Sequence, residues 1–219
     1  MPKTYQEQDF EAHIEEHLLA SGYTSRPPAA YDRALCLIPE QVMAFIRASQ
    51  PQEYEKLQKQ YGAQTEAKLC QRLADEIRKR GTLAVLRQGI KDRGAKFRLA
   101  YFKPASGLNP QHQQLYQQNQ FSLIRQLKYS QKNENALDMV LFLNGLPLVT
   151  IELKNSLTGQ TVENAVKQYK KDRPPQGEPL LQFKRCLVHF AVGNEAAQMT
   201  TRLQGDQTRF FPFNRDTVK

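Results

Sequence analysis

Glu152 and Lys154 stand one residue apart in Pro147–Lys154 (PLVTIELK), and Asp138 lies fourteen residues before Glu152 in Ala136–Leu143 (ALDMVLFL). Both stretches read as strands, and Asn144-Gly145 between them is a strong hairpin signal, because both residues tolerate the positive φ of a tight turn. A strand's period of two puts Glu152 and Lys154 on one face and Ile151 and Leu153 on the other. A carboxylate and an ammonium fixed side by side at the end of an apolar strand are costly to bury unless they serve each other or a metal. Asp138 is an acid inside an apolar run. Two carboxylates and a lysine gathered by a hairpin suit a hard, oxygen-loving cation such as Mg²⁺.

Register decides whether the acids meet. A plain two-residue turn pairs Leu143 with Leu146 and Asp138 with Ile151, which turns Asp138 away from Glu152. A three-residue loop of Leu143-Asn144-Gly145 instead sets Asp138 opposite Thr150, on the face of Glu152 and Lys154. The metal site therefore requires an odd loop or a bulge in this hairpin. Taken alone, an E-x-K on a strand is also the ordinary pattern of an exposed ion pair.

The rest of the chain must position these groups. At 219 residues and 40% hydrophobic, it is long enough for one domain with a sizeable core. Lys and Arg number 31 against 22 Asp and Glu, a formal charge of +9. That excess points to a polyanionic partner without separating a nuclease from a ribosomal or membrane-surface protein. Cys36, Cys70 and Cys186 form no C-x-x-C pair, so they read as reduced thiols of a cytoplasmic protein. No apolar stretch has signal-peptide or membrane-span length, and no P-loop motif occurs, so no ATP site is expected in this chain.

Phe10, Ile14 and Leu18 recur at helical spacing before Gly22. Further helices are expected from Pro39 to before Pro51, from Pro51 to Tyr61 before Gly62, and from Thr65 to Arg80 before Gly81. Leu83–Arg87, Phe97–Phe102 and Phe121–Tyr129 then read as strands, Glu163–Lys171 as a helix and Cys186–Val192 as a buried strand. The tail to Lys219 reads as short extended pieces. Four helices followed by a sheet with one strong helix indicate an α/β or α+β domain.

Two basic segments accompany the acids. Arg87, Lys91, Arg93, Lys96, Arg98 and Lys103 fall within one stretch with only Asp92 opposing them, and are expected to track phosphates beside the site. A solvated hairpin is the equal alternative. Lys167, Lys170, Lys171 and Arg173 form the second cluster, expected to contact DNA. His189, inside an apolar strand, reads as a core histidine. Thr200, Thr201 and Arg202 can approach DNA, but nothing local compels it.

LDMVLFLNGLPLVTIELKNSLTGQTVENAVKQYKKDR is similar to the N-terminal nuclease segment of the R (motor) subunit of type I restriction enzymes. The likeness extends through LRQGIKDRGAKFRLAYFKPASGLNP and RQLKYS upstream and LVHFAVGNEAAQMTTRLQGDQTRFFPFN downstream. The resemblance implies an α/β, PD-(D/E)xK (restriction-endonuclease-like) fold, with a small mixed sheet flanked by helices, that cuts double-stranded DNA with Mg²⁺. An N-terminal helical region, residues 1–80, would pack on a nuclease core, residues 81–219, in a single structural domain.

Carried over by position, Asp138 is the first acid and Glu152 with Lys154 the E-x-K, while Leu137 replaces the motif's proline. Asp138, Glu152 and the backbone carbonyl of Leu153 would hold Mg²⁺, and Lys154 would orient the attacking water. Relatives often carry a glutamine and a tyrosine four residues apart on the next helix. Tyr169 is present, but Ala165 occupies the glutamine position and Gln168 is the neighbouring alternative. Glu11 or Glu15 is a candidate first-helix ligand, although with Glu16 they also read as a solvated acidic face.

Family members continue into an ATP-driven translocase, so this chain is expected to be a fragment, a truncated product or a subunit acting apart from its motor. The implied partners are DNA and the methylation and recognition subunits of the restriction complex, with no membrane. Two other readings compete: a non-catalytic DNA-binding or assembly module, and an RNA-binding housekeeping protein, which leaves the acids without purpose.

Overall fold

A computed structural model describes residues 3–155 and 159–213, with the side chains of the first helix described from Asp9 onward. Ser156–Thr158, within the restriction-enzyme likeness, and the tail beyond Phe213 lie outside the described residues. Helix α1 spans Lys3–Ala20, strand β1 Thr24–Ser25, α2 Pro39–Ser49, α3 Pro51–Tyr61 and α4 Thr65–Arg80. Proline at the first turn of α2 and α3 and glycine just past α3 and α4 set these limits, as the sequence predicts.

Leu83–Arg87 is not a strand. It lies in a short helix, α5 (Thr82–Gln88), started by a contact remote in sequence: the Thr82 amide donates to the Lys184 carbonyl and its hydroxyl to that of Arg185. The run Leu83–Leu86 is too short for its period to separate helix from strand. Only Ala95–Phe97 (β3) of the next region is extended, and it pairs with Ile90–Asp92 (β2) as a separate ribbon. Helix α6 (Pro110–Gln117) lies in a region with no sequence expectation, although Asn109 caps it and Pro110 opens it in the usual way.

The remaining strands, β4 (Phe121–Lys128), β5 (Ala136–Leu143), β6 (Leu146–Leu153), β7 (Val188–Val192), β8 (Ala197–Thr200) and β9 (Phe211–Pro212), join β1 in a seven-stranded mixed sheet. The order is β1-β4-β5-β6-β7-β8-β9, larger than the small sheet expected. Helix α7 (Val162–Lys171) packs on one face through Val162, Ala165 and Tyr169, alongside Val140 and Ala191. Helix α1 covers the other face, setting Phe10, Ile14 and Leu18 on Met139, Ile151 and Leu153. Helices α2–α5 and the β2–β3 ribbon share a further core with Leu146, at the turn end of the β5–β6 hairpin, so this core draws from both sides of residue 80.

The hairpin corrects the expected loop while meeting its requirement. Leu143 pairs with Leu146, so the turn is the two-residue Asn144-Gly145, with φ of 52° and 81°. The register then shifts at a bulge: Phe142 pairs with Pro147 but Leu141 with Val149, leaving Leu148 as the extra residue. Proline is tolerated at such a bulge because the regular ladder is already interrupted there. From there Met139 pairs with Ile151, which brings Asp138 level with Glu152 instead of Thr150.

Candidate metal and active site

Asp138, near the start of β5, and Glu152, near the end of β6, lie side by side at the end of these central strands remote from the hairpin turn. The Asp138 Oδ2 accepts the Leu153 amide at 2.7 Å, which anchors the carboxylate to the adjacent strand. Glu152 is fully buried. Its Oε1 accepts Arg173 Nε at 2.7 Å, and its Oε2 has no hydrogen-bond partner. Burial, and next the negative charge of Asp138, push the Glu152 carboxyl well above the usual range, against the opposing Arg173 guanidinium.

A cleft of about 890 Å³ opens beside Asp138, with Lys154, Gln168 and Arg173 also in its walls. Lys154 follows β6 directly, where its amide donates to the Val192 carbonyl. Gln168 lines the cleft, whereas Ala165 is sealed in the core beneath α7. The glutamine open to the site is thus Gln168. Tyr169, expected as a supporting site residue, points the other way: it is fully buried and its hydroxyl lies 2.8 Å from Thr150 Oγ1.

Glu11 is no solvated residue. It is 5% exposed, lines the same cleft and receives Arg125 Nε, Arg125 Nη2 and Gln126 Nε2. Burial first and Asp138 second raise its carboxyl, although Arg125 and Gln126 oppose the rise. Glu15 sits one turn on and accepts Arg125 Nη1 and Ser25 Oγ. These bonds and the guanidinium charge outweigh burial and hold its carboxyl below the usual range. Glu11 is therefore the first-helix acid nearer the site.

No spacing or motif in the sequence marks Arg125 and Gln126, yet both reach Glu11. Adjacent residues of a regular strand point to opposite faces. Gln126 has φ of 48°, and this left-handed residue breaks the alternation, so that Ile124 and Leu127 both feed the core under α7. The backbone conformation is one that non-glycine residues seldom adopt. Its consequence is local: Gln126 Nε2 lies 2.6 Å from Glu11 Oε1 and 3.5 Å from Asp138 Oδ1. The only sequence signal for this pair was its polarity between Ile124 and Leu127.

The basic residues fall into three environments. Lys167 is exposed on α7, and Lys171 is exposed but paired with Asp206. Arg173, expected to contact DNA, is 7% exposed and turned inward. It binds Glu152 and donates through Nη2 to the Ala136 carbonyl at 2.6 Å, because the buried carboxylate there needs a countercharge. Arg87 is exposed on α5, and Lys91, Arg93, Lys96 and Arg98 are exposed on or beside the β2–β3 ribbon. This ribbon packs with α3 and α4, and the following Leu99 carbonyl accepts Asn144 Nδ2 at the hairpin turn. Asn144 lies six residue steps along the strand from Asp138, about 20 Å at the usual rise. That surface does not flank the acids as expected.

His189 is a core histidine, 1% exposed, with Nδ1 2.7 Å from Thr150 Oγ1. Burial lowers its pKa to about 4. The unfolded chain therefore binds a proton more readily below the ordinary value near 6.5, and the fold loses stability as pH falls from there towards 4. The expected contribution is about 3 kcal/mol at pH 4. Urea melts from pH 7 to 4 measure it, and His189→Gln should flatten that part of the slope.

Among the described residues, no three His, Cys, Asp or Glu side chains group closely enough to hold a metal by themselves. The donor set nevertheless fits a hard cation: Asp138 is a carboxylate on the cleft wall, Glu152 Oε2 is a buried, unpartnered oxygen level with it, and Mg²⁺ is commonly held by one or two carboxylates with substrate and water completing its shell.

A mixed α/β domain with paired acids and a lysine at the end of its central hairpin is the class of protein the geometry defines. The family model for the type I restriction enzyme R protein N terminus matches residues 4–208, and the chain belongs to that family. No curated protein matches it significantly. The family is that of a restriction-modification system acting on DNA. Among the described residues, no helix is long and apolar enough to cross a membrane.

Proposed function

We propose that this chain is the Mg²⁺-dependent endonuclease domain of a type I restriction R subunit, built on a PD-(D/E)xK fold with residues 1–80 and 81–219 as its two parts. It hydrolyses DNA phosphodiester bonds without sequence preference after ATP-driven translocation by other domains, in a complex with methylation and recognition subunits. The single observation that supports this reading best is the buried Glu152, with one oxygen unpartnered, level with Asp138, which lines an open cleft.

Asp138, Glu152 and the Leu153 carbonyl would hold the metal, with Glu11 as the nearby third acid. When bound, Mg²⁺ polarises the scissile phosphate and makes a water more acidic. Lys154 orients that water, favours its deprotonation and offsets the charge that grows on the phosphoryl oxygens. Gln168 on the cleft wall positions the substrate by hydrogen bonding. Lys167 and the surface of Arg87, Lys91, Arg93, Lys96 and Arg98 contact phosphates, the latter beyond the hairpin turn rather than beside the acids. The three free cysteines are all buried, which agrees with a cytoplasmic setting.

The Arg173–Glu152 pair favours one other reading, in which the acids are structural and the domain is a non-catalytic DNA-binding or assembly module. Calorimetric titration with Mn²⁺ separates the two. Binding by the wild type that is lost in Asp138→Ala is the expected result. Equal binding by both, or by neither, favours the module.

A further inference from the structure

Arg173 touches three elements around the candidate metal site. Its Nε donates to Glu152 Oε1 at the end of β6, and its Nη2 donates to the carbonyl of Ala136, the first residue of β5. Its own backbone lies just past α7, where Nη1 also reaches the Asp172 carbonyl at 3.4 Å. Ala136 is two residues before Asp138. The guanidinium thus ties the strand that carries one carboxylate to the side chain of the other. At 7% exposure it is mostly buried, and what remains open borders the cleft beside Asp138 and Lys154.

The two Glu152 oxygens are consequently unlike. Oε1 is held by Arg173, while Oε2 is buried and has no partner. A carboxylate held at its carbon by its own buried side chain and at one oxygen by a hydrogen bond has its other oxygen confined, because the group is planar. An arginine suits this task better than a lysine: its planar fork presents several N–H groups at set angles and satisfies two acceptors at once.

We infer that Arg173 is a positioning residue of the metal site, a clamp that holds Glu152 by Oε1 against the start of β5 and so presents Oε2 to a divalent cation beside Asp138. This assignment rests on reading Asp138 and Glu152 as metal ligands. It also makes a choice of sign. If the guanidinium were merely a countercharge filling an empty site, it would repel an incoming cation, and its removal would tighten metal binding. As a clamp, its removal weakens binding.

Groups that orient a metal's ligands typically account for about 10- to 100-fold in affinity. The test is Mn²⁺ binding by the full chain, followed by the loss of the free-ion electron paramagnetic resonance signal, with metal-free melting temperatures recorded in parallel. Arg173→Met, which keeps the volume but makes neither hydrogen bond, should weaken Mn²⁺ binding about 10-fold or more. Arg173→Lys, which keeps the charge but not the fork, should fall between that variant and the wild type. A folded Arg173→Met that binds Mn²⁺ as tightly as the wild type, or more tightly, overturns the clamp. If Arg173→Met does not fold, an unchanged affinity in Arg173→Lys overturns it instead. A wild type that binds no Mn²⁺ overturns the metal-ligand reading itself, and the clamp with it. Normal wild-type binding with unaffected Arg173 variants removes the clamp alone.

Discussion

Lys154→Ala is expected to slow phosphodiester cleavage by about a thousandfold while leaving Mn²⁺ affinity within about threefold of the wild type. The split follows from position. Asp138 and Glu152 supply the anionic oxygens, whereas Lys154 is a cation on the cleft wall and takes no part in holding a metal. Its charge acts on what develops during the reaction, the deprotonating water and the phosphoryl oxygens, so its loss raises the barrier more than it changes the resting site. Its backbone amide stays bonded to Val192 in the variant, so β6 keeps its place beside β7. Single-turnover cleavage in the assembled complex, measured with an Mn²⁺ titration of the same preparation, gives both numbers. A parallel loss of metal binding would mean that Lys154 organises the ligands.

Gly145→Ala is expected to cost on the order of 3 kcal/mol, one of the largest stability losses available to a single methyl group here. Gly145 has φ of 81°, and a Cβ there would stand 2.6 Å from the Ile38 carbonyl oxygen and 2.9 Å from the Val42 amide nitrogen. Both are backbone atoms at the start of α2, so neither can swing aside. The Gly145 carbonyl also accepts the Ile38 amide at 2.9 Å, which docks the turn on that helix. The neighbouring Asn144 is fully buried and cannot yield either, since its side chain bonds to Gln120, Leu99 and Asn119. Chemical denaturation reads the loss, and an Ala variant within 0.5 kcal/mol of the wild type, about the scale of an ordinary surface change, would show that the turn adapts.

The sequence makes the hairpin legible because its signals are local: two apolar runs, an Asn-Gly turn and charged residues spaced two apart. The helices bounded by Pro39, Pro51, Gly62 and Gly81 are legible for the same reason. The parity needed to join Asp138 and Glu152 could be stated, but not that Leu148 would supply it by bulging beside Pro147. Helix α5 was hidden because its first turn is fixed by Lys184 and Arg185, a hundred residues away in sequence.

Burial was the larger obscurity. Arg173 reads with its neighbouring lysines as a basic patch until the fold turns it inward to Glu152. Glu11 reads with Glu15 and Glu16 as a wet helix face until α1 is laid over β5 and β6 and Arg125 reaches it from β4. Both assignments depend on which element packs where, information that no short spacing carries. The left-handed Gln126 is the extreme case: nothing in Leu-Ile-Arg-Gln-Leu announces a break in alternation, yet that break lets Gln126 bridge Glu11 and Asp138.

On the function proposed above, Asp138 and Glu152 form one metal-dependent cutting site. The most direct test is cleavage of supercoiled plasmid by the assembled restriction complex containing this segment, with Mg²⁺ titrated against the wild type, Asp138→Ala and Glu152→Gln, and with ATP turnover followed alongside. The wild type should cut only with Mg²⁺ present, and both variants should hydrolyse ATP normally while leaving the plasmid intact at every Mg²⁺ concentration. Cutting by Asp138→Ala at the wild-type rate would contradict the account.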